Sequence, residues 1–191
     1  MDNLTQITKA ILQCQRCELR MTATRPVPGH GDLGAKYFLL GEAPGREEDS
    51  EGVPFVGQAG RRLDKLLELA GININDCYLS NVCRCRPPSN RTPRKKEIRA
   101  CVDFLWQEIK LVQPQVIITL GSTPLSLFCP HGVTQVHGTM MDIDLDKIIN
   151  APEPKPSAKK VDISVDKQRQ KKQIVEVDYA SVLSELFSGS D

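Results

Sequence analysis

The chain has 191 residues, of which 40% are hydrophobic and 26% are charged. This length suits one ordinary α/β domain, and we expect residues 1–191 to form a single domain. The net charge of +1 identifies no class of partner. The sequence has no apolar run of 18 residues and no N-terminal signal pattern, which argues against a membrane or secreted protein. We therefore expect a cytoplasmic protein.

Apolar spacing predicts alternating helices and strands in the first half of the chain. Residues 4–12 carry apolar side chains at helical spacing, and "YFLLG", Tyr37–Gly41, is typical of a buried strand. Residues 59–70 place their leucines on one helical face, and Gly71 is a typical helix stop. "CYLSNV", residues 77–82, predicts a second strand.

The pattern continues in the second half. Thr92 followed by Pro93 predicts the start of a helix, because threonine caps a helix and proline at its first position needs no N–H partner. Residues 115–121 predict a third strand. This alternation predicts a parallel sheet covered by helices on both faces. Ligands of such sheets bind outside the carboxyl ends of the strands, where "GEAPG" and "SNVCRC" would both lie.

The composition changes after Met141. Residues 142–173 are rich in proline, lysine and glutamine, and we predict a flexible, mildly basic insertion or linker within the domain. From Ile174 onward the apolar pattern returns and predicts a last strand and helix.

Charge is concentrated in two stretches. Residues 41–60 contain five acidic side chains against one basic side chain, which is the wrong sign for a phosphate-binding loop. Residues 84–99 contain seven basic side chains and one acidic side chain. A local positive field of that size favours a polyanion. A solvated basic helix face is the alternative.

Seven cysteines in a cytoplasmic chain favour metal or redox chemistry over disulfides. Cys14 and Cys17 form a C-x2-C motif, and Cys85 and Cys101 supply a second pair. Two thiolate pairs suit either a tetrahedral zinc ion or a four-iron cluster. Spacing alone does not choose between them, and Cys83 competes with Cys85 as a ligand.

"GEAPGREEDSEGVPFVGQAG" and "SNVCRCRPPSNRTP", with the four cysteines in this order, resemble the family 4 uracil-DNA glycosylases over about residues 11–121. The resemblance implies a three-layer α/β/α fold with a four-stranded, mainly parallel sheet. It implies excision of uracil from single- or double-stranded DNA by hydrolysis of the N-glycosidic bond, after base flipping, to leave an abasic site. It also implies a [4Fe–4S] cluster held by Cys14, Cys17, Cys85 and Cys101.

The resemblance further implies roles for single residues. Phe55 would stack on the flipped base, Asn81 would pair with uracil O4 and N3–H, and Ala43 would allow close backbone approach. Carboxylates beside the sugar would stabilise its positive charge and orient water, and these are Glu42, Glu48 and Asp49. Phosphate contacts would come from Arg86, Arg91, Arg94 and Lys95.

One family feature is missing from the sequence. The family's second catalytic stretch contains His-Pro, whose histidine donates a hydrogen bond to the base, and no His-Pro occurs in this chain. The best register places Asp178-Tyr179 there, so Asp178 becomes a candidate catalytic residue. An ionised aspartate only accepts hydrogen bonds and would repel the developing uracil anion.

Three functions therefore stay open: an active uracil-DNA glycosylase, a replication- or phage-associated protein that binds DNA without excision, and a glycosylase for another damaged base. We expect a monomer associated with the nucleoid, with uracil-containing DNA and a replication protein as candidate partners.

Overall fold

Five short strands form one sheet in the computed structural model, which describes residues 3–149 and 172–176. The strands are β1 (Tyr37–Gly41), β2 (Cys77–Asn81), β3 (Val116–Thr119), β4 (Met140–Ile143) and β5 (Lys172–Glu176). Their order across the sheet is β2-β1-β3-β5-β4. All neighbouring pairs are parallel except β4 and β5, which are antiparallel.

Two helices precede the first strand, and the others connect the strands. The helices are α1 (Asn3–Leu12), α2 (Leu19–Thr22), α3 (Arg46–Glu51), α4 (Gln58–Leu69), α5 (Lys95–Val112), α6 (Ser122–Leu125), α7 (Val133–Val136) and α8 (Leu145–Ile149). Within the described ranges, none of these helices is both long and apolar enough to cross a bilayer.

The sheet has an apolar core on each face. Because side chains alternate along a strand, Phe38 and Leu40 of β1 join the core formed with α1 and α5, whereas Leu39 joins the core formed with α4. The helices contribute Ile11, Leu105 and Ile109 to the first core and Leu63 and Leu67 to the second. Helices therefore cover both faces, and the predicted three-layer α/β/α class is confirmed.

Two details of these elements differ from the sequence prediction. The sheet has five strands where we predicted four, because the half-exposed, antiparallel β4 lacks the continuous apolar signal of a buried strand. The helix predicted to begin at Thr92 begins at Lys95, since the Glu97 carboxylate accepts a hydrogen bond from the backbone N–H of Arg94 at 2.6 Å and caps it there.

The predicted flexible insertion, 142–173, is only partly described. Its first eight residues contain the end of β4 and all of α8, so they are ordered elements instead of a linker. Residues 172 and 173 begin β5, which agrees with the last strand predicted near Ile174. Residues 150–171 lie outside the described residues, as does the last helix predicted after β5.

Candidate active site

A cavity of about 350 Å³ opens at the carboxyl ends of β1 and β2. In the parallel register Gly41, the last residue of β1, is paired with Asn81, the last residue of β2. The structure brings six of the predicted site residues to this cavity, namely Glu42, Ala43, Glu48, Phe55, Asn81 and Arg91. Its size suits a small organic ligand such as one nucleobase.

Phe55 and Asn81 meet over Gly41. A Cβ atom on Gly41 would lie 2.5 Å from Asn81 Oδ1 and 2.9 Å from Phe55 Cζ. Only glycine at this position leaves room for both side chains. The aromatic ring and the amide are therefore neighbours in the cavity, as a stacking platform and an edge reader of the same base would have to be.

The backbone of Phe55 is held in an uncommon conformation. Its φ of 60° lies in the left-handed region, which costs a bulky residue on the order of 1–3 kcal/mol. A side chain on Gly60 would overlap the Phe55 carbonyl, so the glycine allows the start of α4 to pack against this strained residue. Strain of this kind is concentrated at binding sites, and here it aims an aromatic ring into the cavity.

Asn81 is 5% exposed. Among residues 3–149 no group hydrogen-bonds its side-chain amide, whereas its backbone carbonyl accepts a bond from Arg84 Nη1 at 2.6 Å. The backbone is thus fixed while the amide stays available to a ligand.

Glu42 follows β1 directly and is half-buried. Its Oε2 accepts a hydrogen bond from the Thr123 hydroxyl, at the start of α6. Thr123 comes from the turn after β3, so the two strand ends cooperate to orient this carboxylate. Thr123 was not predicted from the sequence.

Glu48 and Asp49 are both buried, and among residues 3–149 their carboxylates, unlike that of Glu42, accept hydrogen bonds from backbone N–H groups. The Glu48 carboxylate lines the cavity and accepts the backbone N–H groups of Gly45 and Gly57, at 3.0 and 2.8 Å. The two oxygens therefore join the two ends of the loop, at Gly45 and Gly57, through one side chain. Asp49 faces away from the cavity and accepts the N–H and hydroxyl of Thr24, at 2.9 and 2.8 Å. Its predicted place beside the sugar does not match this position.

Arg91 and Glu97 form a half-buried ion pair at the edge of the cavity. Both guanidinium ends donate to the carboxylate, Nη1 at 2.9 Å and Nη2 at 2.7 Å. The hydrogen bonds from Arg91 are the main reason that the pKa of Glu97 falls to about 2. Much of the Arg91 hydrogen-bonding capacity is therefore used within the protein, although the side chain still lines the cavity.

The other predicted phosphate ligands lie outside the cavity lining. Arg94 is exposed and lies 3.7 Å from the Glu18 carboxylate, which Lys96 also contacts at 2.7 Å. Among residues 3–149 the Arg86 side chain donates only to Asn90, at 2.6 Å, and Lys95 is exposed. Within the described chain, Arg86 and Lys95 contact no carboxylate. Their charges are therefore more available to phosphate groups than those of Arg91 and Arg94.

Arg84, counted above among the basic residues of 84–99, is 2% exposed and belongs to the interior. Its Nη2 donates to Glu108 at 2.8 Å, and its Nη1 also bonds Ser80. Glu108 in turn accepts the backbone N–H of Gly29 at 3.1 Å. The buried pair thus ties β2, α5 and the segment before β1 together.

A second cavity is lined by cysteines. These cysteines are the four predicted ligands and their competitor, namely Cys14, Cys17, Cys83, Cys85 and Cys101. Three arginines also line the cavity, namely Arg16, Arg20 and Arg84. Burial raises the pKa of the Cys85 thiol to about 12. A hydrogen bond between the Cys83 and Cys101 thiols lowers the pKa of Cys101 and raises that of Cys83.

The five thiols line one shared cavity. Among residues 3–149 and 172–176, no three histidine, cysteine or acidic side chains are grouped closely enough to hold one metal ion. A single zinc ion needs its sulfur ligands about 2.3 Å away. In a four-iron cluster each thiolate binds a different iron, so several thiols that line one cavity fit that group.

Asp178 lies outside the described residues, and its proposed role stays a prediction. β5 ends at Glu176, which is paired in parallel register with Thr119 at the end of β3. This strand therefore ends at the same edge of the sheet as the cavity.

The comparisons with known proteins agree with this architecture. A family model described as the uracil DNA glycosylase superfamily matches residues 28–177. The fold and this match define the class of the protein as that superfamily.

Individual relatives narrow the class. A type-4 uracil-DNA glycosylase of Thermotoga maritima is 42% identical over 139 residues, which is 71% of this chain and 72% of that protein. One from Archaeoglobus fulgidus is 43% identical over 121 residues, 63% of this chain and 61% of that protein. A DNA polymerase of Bacillus phage SP01 is 29% identical over 122 residues, which is only 13% of its length. The chain belongs to the type-4 uracil-DNA glycosylases.

Proposed function

We propose that this protein flips uracil out of DNA and hydrolyses its N-glycosidic bond, leaving an abasic site. The observation that carries the proposal is the meeting of the Phe55 ring and the Asn81 amide over Gly41, beside the Glu42 carboxylate, in a cavity of about 350 Å³. These three side chains supply a stacking surface, an edge reader and a charged group for the sugar.

Asn81 supplies the preference for uracil. Its NH2 group donates to uracil O4 while its carbonyl oxygen accepts from N3–H. Cytosine presents the opposite pattern at these positions, so its binding would leave the buried amide mispaired. A site built around such a pair rejects the wrong partner strongly.

Glu42 acts at the sugar. The bond between C1′ and uracil N1 breaks with its electron pair going to the base, so positive charge develops on the sugar and negative charge on uracil. The Glu42 carboxylate stabilises the sugar cation and accepts a hydrogen bond from the water that attacks C1′. Thr123 orients the carboxylate for this task, whereas Glu48 and Asp49 hold the loop that carries Phe55.

Phosphate contacts come from the basic segment after β2. Arg86 and Lys95 are the strongest candidates, because neither is held by a carboxylate in the described chain. Arg91 contacts DNA from the cavity edge while paired to Glu97, and Arg94 contributes from the exposed start of α5. Such contacts position the strand without reading its sequence. The protein acts on its DNA as a monomer.

We assign the cysteine cavity to a [4Fe–4S] cluster held by Cys14, Cys17, Cys85 and Cys101. When bound, the cluster joins the N-terminal segment to the loop after β2 and has a structural role. Iron and sulfide analysis of protein purified without oxygen tests this assignment. Cys85→Ala should lose most of the bound iron, while Cys83→Ala should retain it; the opposite result would exchange the two residues as ligands.

Uracil excision is tested with oligonucleotides that carry one uracil, single- and double-stranded, followed by alkaline cleavage of abasic sites. Strand scission by the wild type should fall at least about a hundredfold in Glu42→Ala and in Asn81→Asp. Glu51→Ala, an exposed acid on the same loop, is the matched control. Scission that persists in Asn81→Asp would refute the assignment of the base reader.

A second candidate is a glycosylase-fold protein that binds DNA, for example beside a replication protein, without excising uracil. The absence of His-Pro from the sequence and the similarity to part of a phage DNA polymerase favour it. Tight binding of uracil-containing DNA without any scission would identify this function. Scission of another damaged base, but not of uracil, would instead identify a different glycosylase.

A further inference from the structure

Two arginines at the cysteine cavity carry buried N–H groups that lack partners. Among the described residues, four buried side-chain nitrogen or oxygen atoms have no hydrogen-bond partner, and two of them are Arg20 Nε and Arg84 Nε. Both arginines line the cavity with the cysteines. A buried donor without a partner destabilises the fold, so two of them at one cavity indicate a missing acceptor.

The rest of each guanidinium is already held in place. Arg20 Nη1 donates to the backbone carbonyl of Ala23 at 3.2 Å. Arg84 donates through Nη1 to Asn81 and through Nη2 to Glu108. Neither side chain can turn its Nε–H toward water without breaking these bonds.

We propose that Arg20 and Arg84 donate their Nε–H groups to the sulfur atoms of the bound iron–sulfur cluster. The inference rests on the proposed cofactor. A cluster ligated by four thiolates is an anion rich in sulfur acceptors, and it would satisfy both donors at once. The backbone N–H of Arg84 already points to sulfur, since it donates to Cys101 Sγ at 3.2 Å.

These bonds would tune the cluster as well as hold it. Hydrogen bonds to the sulfur atoms raise the reduction potential, because they stabilise the more negative, reduced state. Arg84 also donates a hydrogen bond to the backbone carbonyl of Asn81, so a single guanidinium links the cluster to the base reader. Arg20 and Arg84 are therefore positioning residues.

Arg20→Gln is the first test, because Arg20 is only half-buried and, among the described residues, its side chain makes a single hydrogen bond. Arg16→Gln is the matched control: it removes the same charge from the same cavity, but Arg16 stacks on Phe104 at 4.3 Å and pairs with exposed Asp103. The reduction potential of the holoprotein should become more negative in Arg20→Gln and shift less in Arg16→Gln. Equal shifts, or no shift, would overturn the role of Arg20.

Arg84 is tested without changing it, because its removal would leave the buried Glu108 carboxylate without its charged partner. The Arg20→Gln holoprotein is labelled with ¹⁵N at the arginine Nε atoms and reduced. The coupling between the electron spin of the reduced cluster and ¹⁵N is then measured. A ¹⁵N coupling that remains in Arg20→Gln, and is unchanged when Arg16→Gln is added to it, supports Arg84 as the donor. Absence of this coupling overturns the proposal for Arg84. Wild-type protein that binds no iron would instead refute the cofactor assignment, whatever the outcome for uracil excision.

Discussion

Arg84 Nη1 donates a hydrogen bond to the backbone carbonyl of Asn81 at 2.6 Å, while Nη2 of the same guanidinium pairs with Glu108 at 2.8 Å. The residue proposed to read uracil is thus held by a charge that is itself balanced by a buried carboxylate on α5. Side-chain exposure of the pair is 2% and 1%. The position of the base reader therefore depends on a contact well inside the protein.

Removal of the Glu108 charge should destabilise the fold. In Glu108→Gln the Arg84 charge stays buried without its partner, and the free energy of unfolding should fall by about 3–5 kcal/mol. Urea denaturation measures the loss. Asp103→Asn breaks the exposed pair with Arg16 and should cost less than about 1 kcal/mol. Similar losses in the two variants would contradict a structural role for the buried pair.

Thr123→Val should slow catalysis without weakening DNA binding. Valine keeps the shape of threonine but cannot donate to Glu42, and a hydrogen bond to a charged group is worth about 1.5–3 kcal/mol. We expect kcat for uracil excision to fall about tenfold or more. Thr139→Val removes an exposed hydroxyl that bonds a backbone carbonyl and should leave kcat unchanged. A pure increase in KM would show that Thr123 does not act through the carboxylate.

Much of this site follows from the sequence, because it depends on local signals. The apolar runs of β1 and β2 predict parallel strands, and parallel strands bring the residues after them to one edge, which is where Glu42 and Asn81 lie. The role of Phe55 came from the resemblance alone. Its backbone conformation and its contact with Gly41 depend on tertiary packing, and no local sequence pattern indicates them.

The positions that the sequence does not predict share a different cause. Glu48 and Asp49 are adjacent on α3, so their side chains point about 100° apart, and only one of them can face the cavity. Arg84 and Glu108 are 24 residues apart, and nothing in a basic run distinguishes its one buried member. Thr123 reaches Glu42 from 81 residues away. Such pairs depend on how the layers pack and cannot be found by spacing.

The Arg91–Glu97 pair predicts a pH dependence of stability. Glu97 has an ordinary pKa of 4.5, which the native structure lowers to about 2. A lowered pKa in the folded state stabilises the protein above the unfolded value, and this contribution is lost as the pH falls from about 4.5 to 2. The wild type should lose up to about 3 kcal/mol more than Glu97→Gln across this window. Parallel curves of unfolding free energy against pH would contradict this.

The salt dependence of DNA binding should separate free from paired cations. Each phosphate contact that is lost lowers the slope of log K against log salt by about 1. Lys95→Gln should lower the slope by about this amount, since no carboxylate in the described chain contacts Lys95. Lys96→Gln is the matched neighbour, whose ammonium is 2.7 Å from Glu18, and it should change the slope less. Titrations from low to moderate salt with the same oligonucleotide measure both. If Lys96→Gln has the larger effect, the DNA crosses the start of α5 on the side of Glu18, and the proposed phosphate path through Lys95 is wrong.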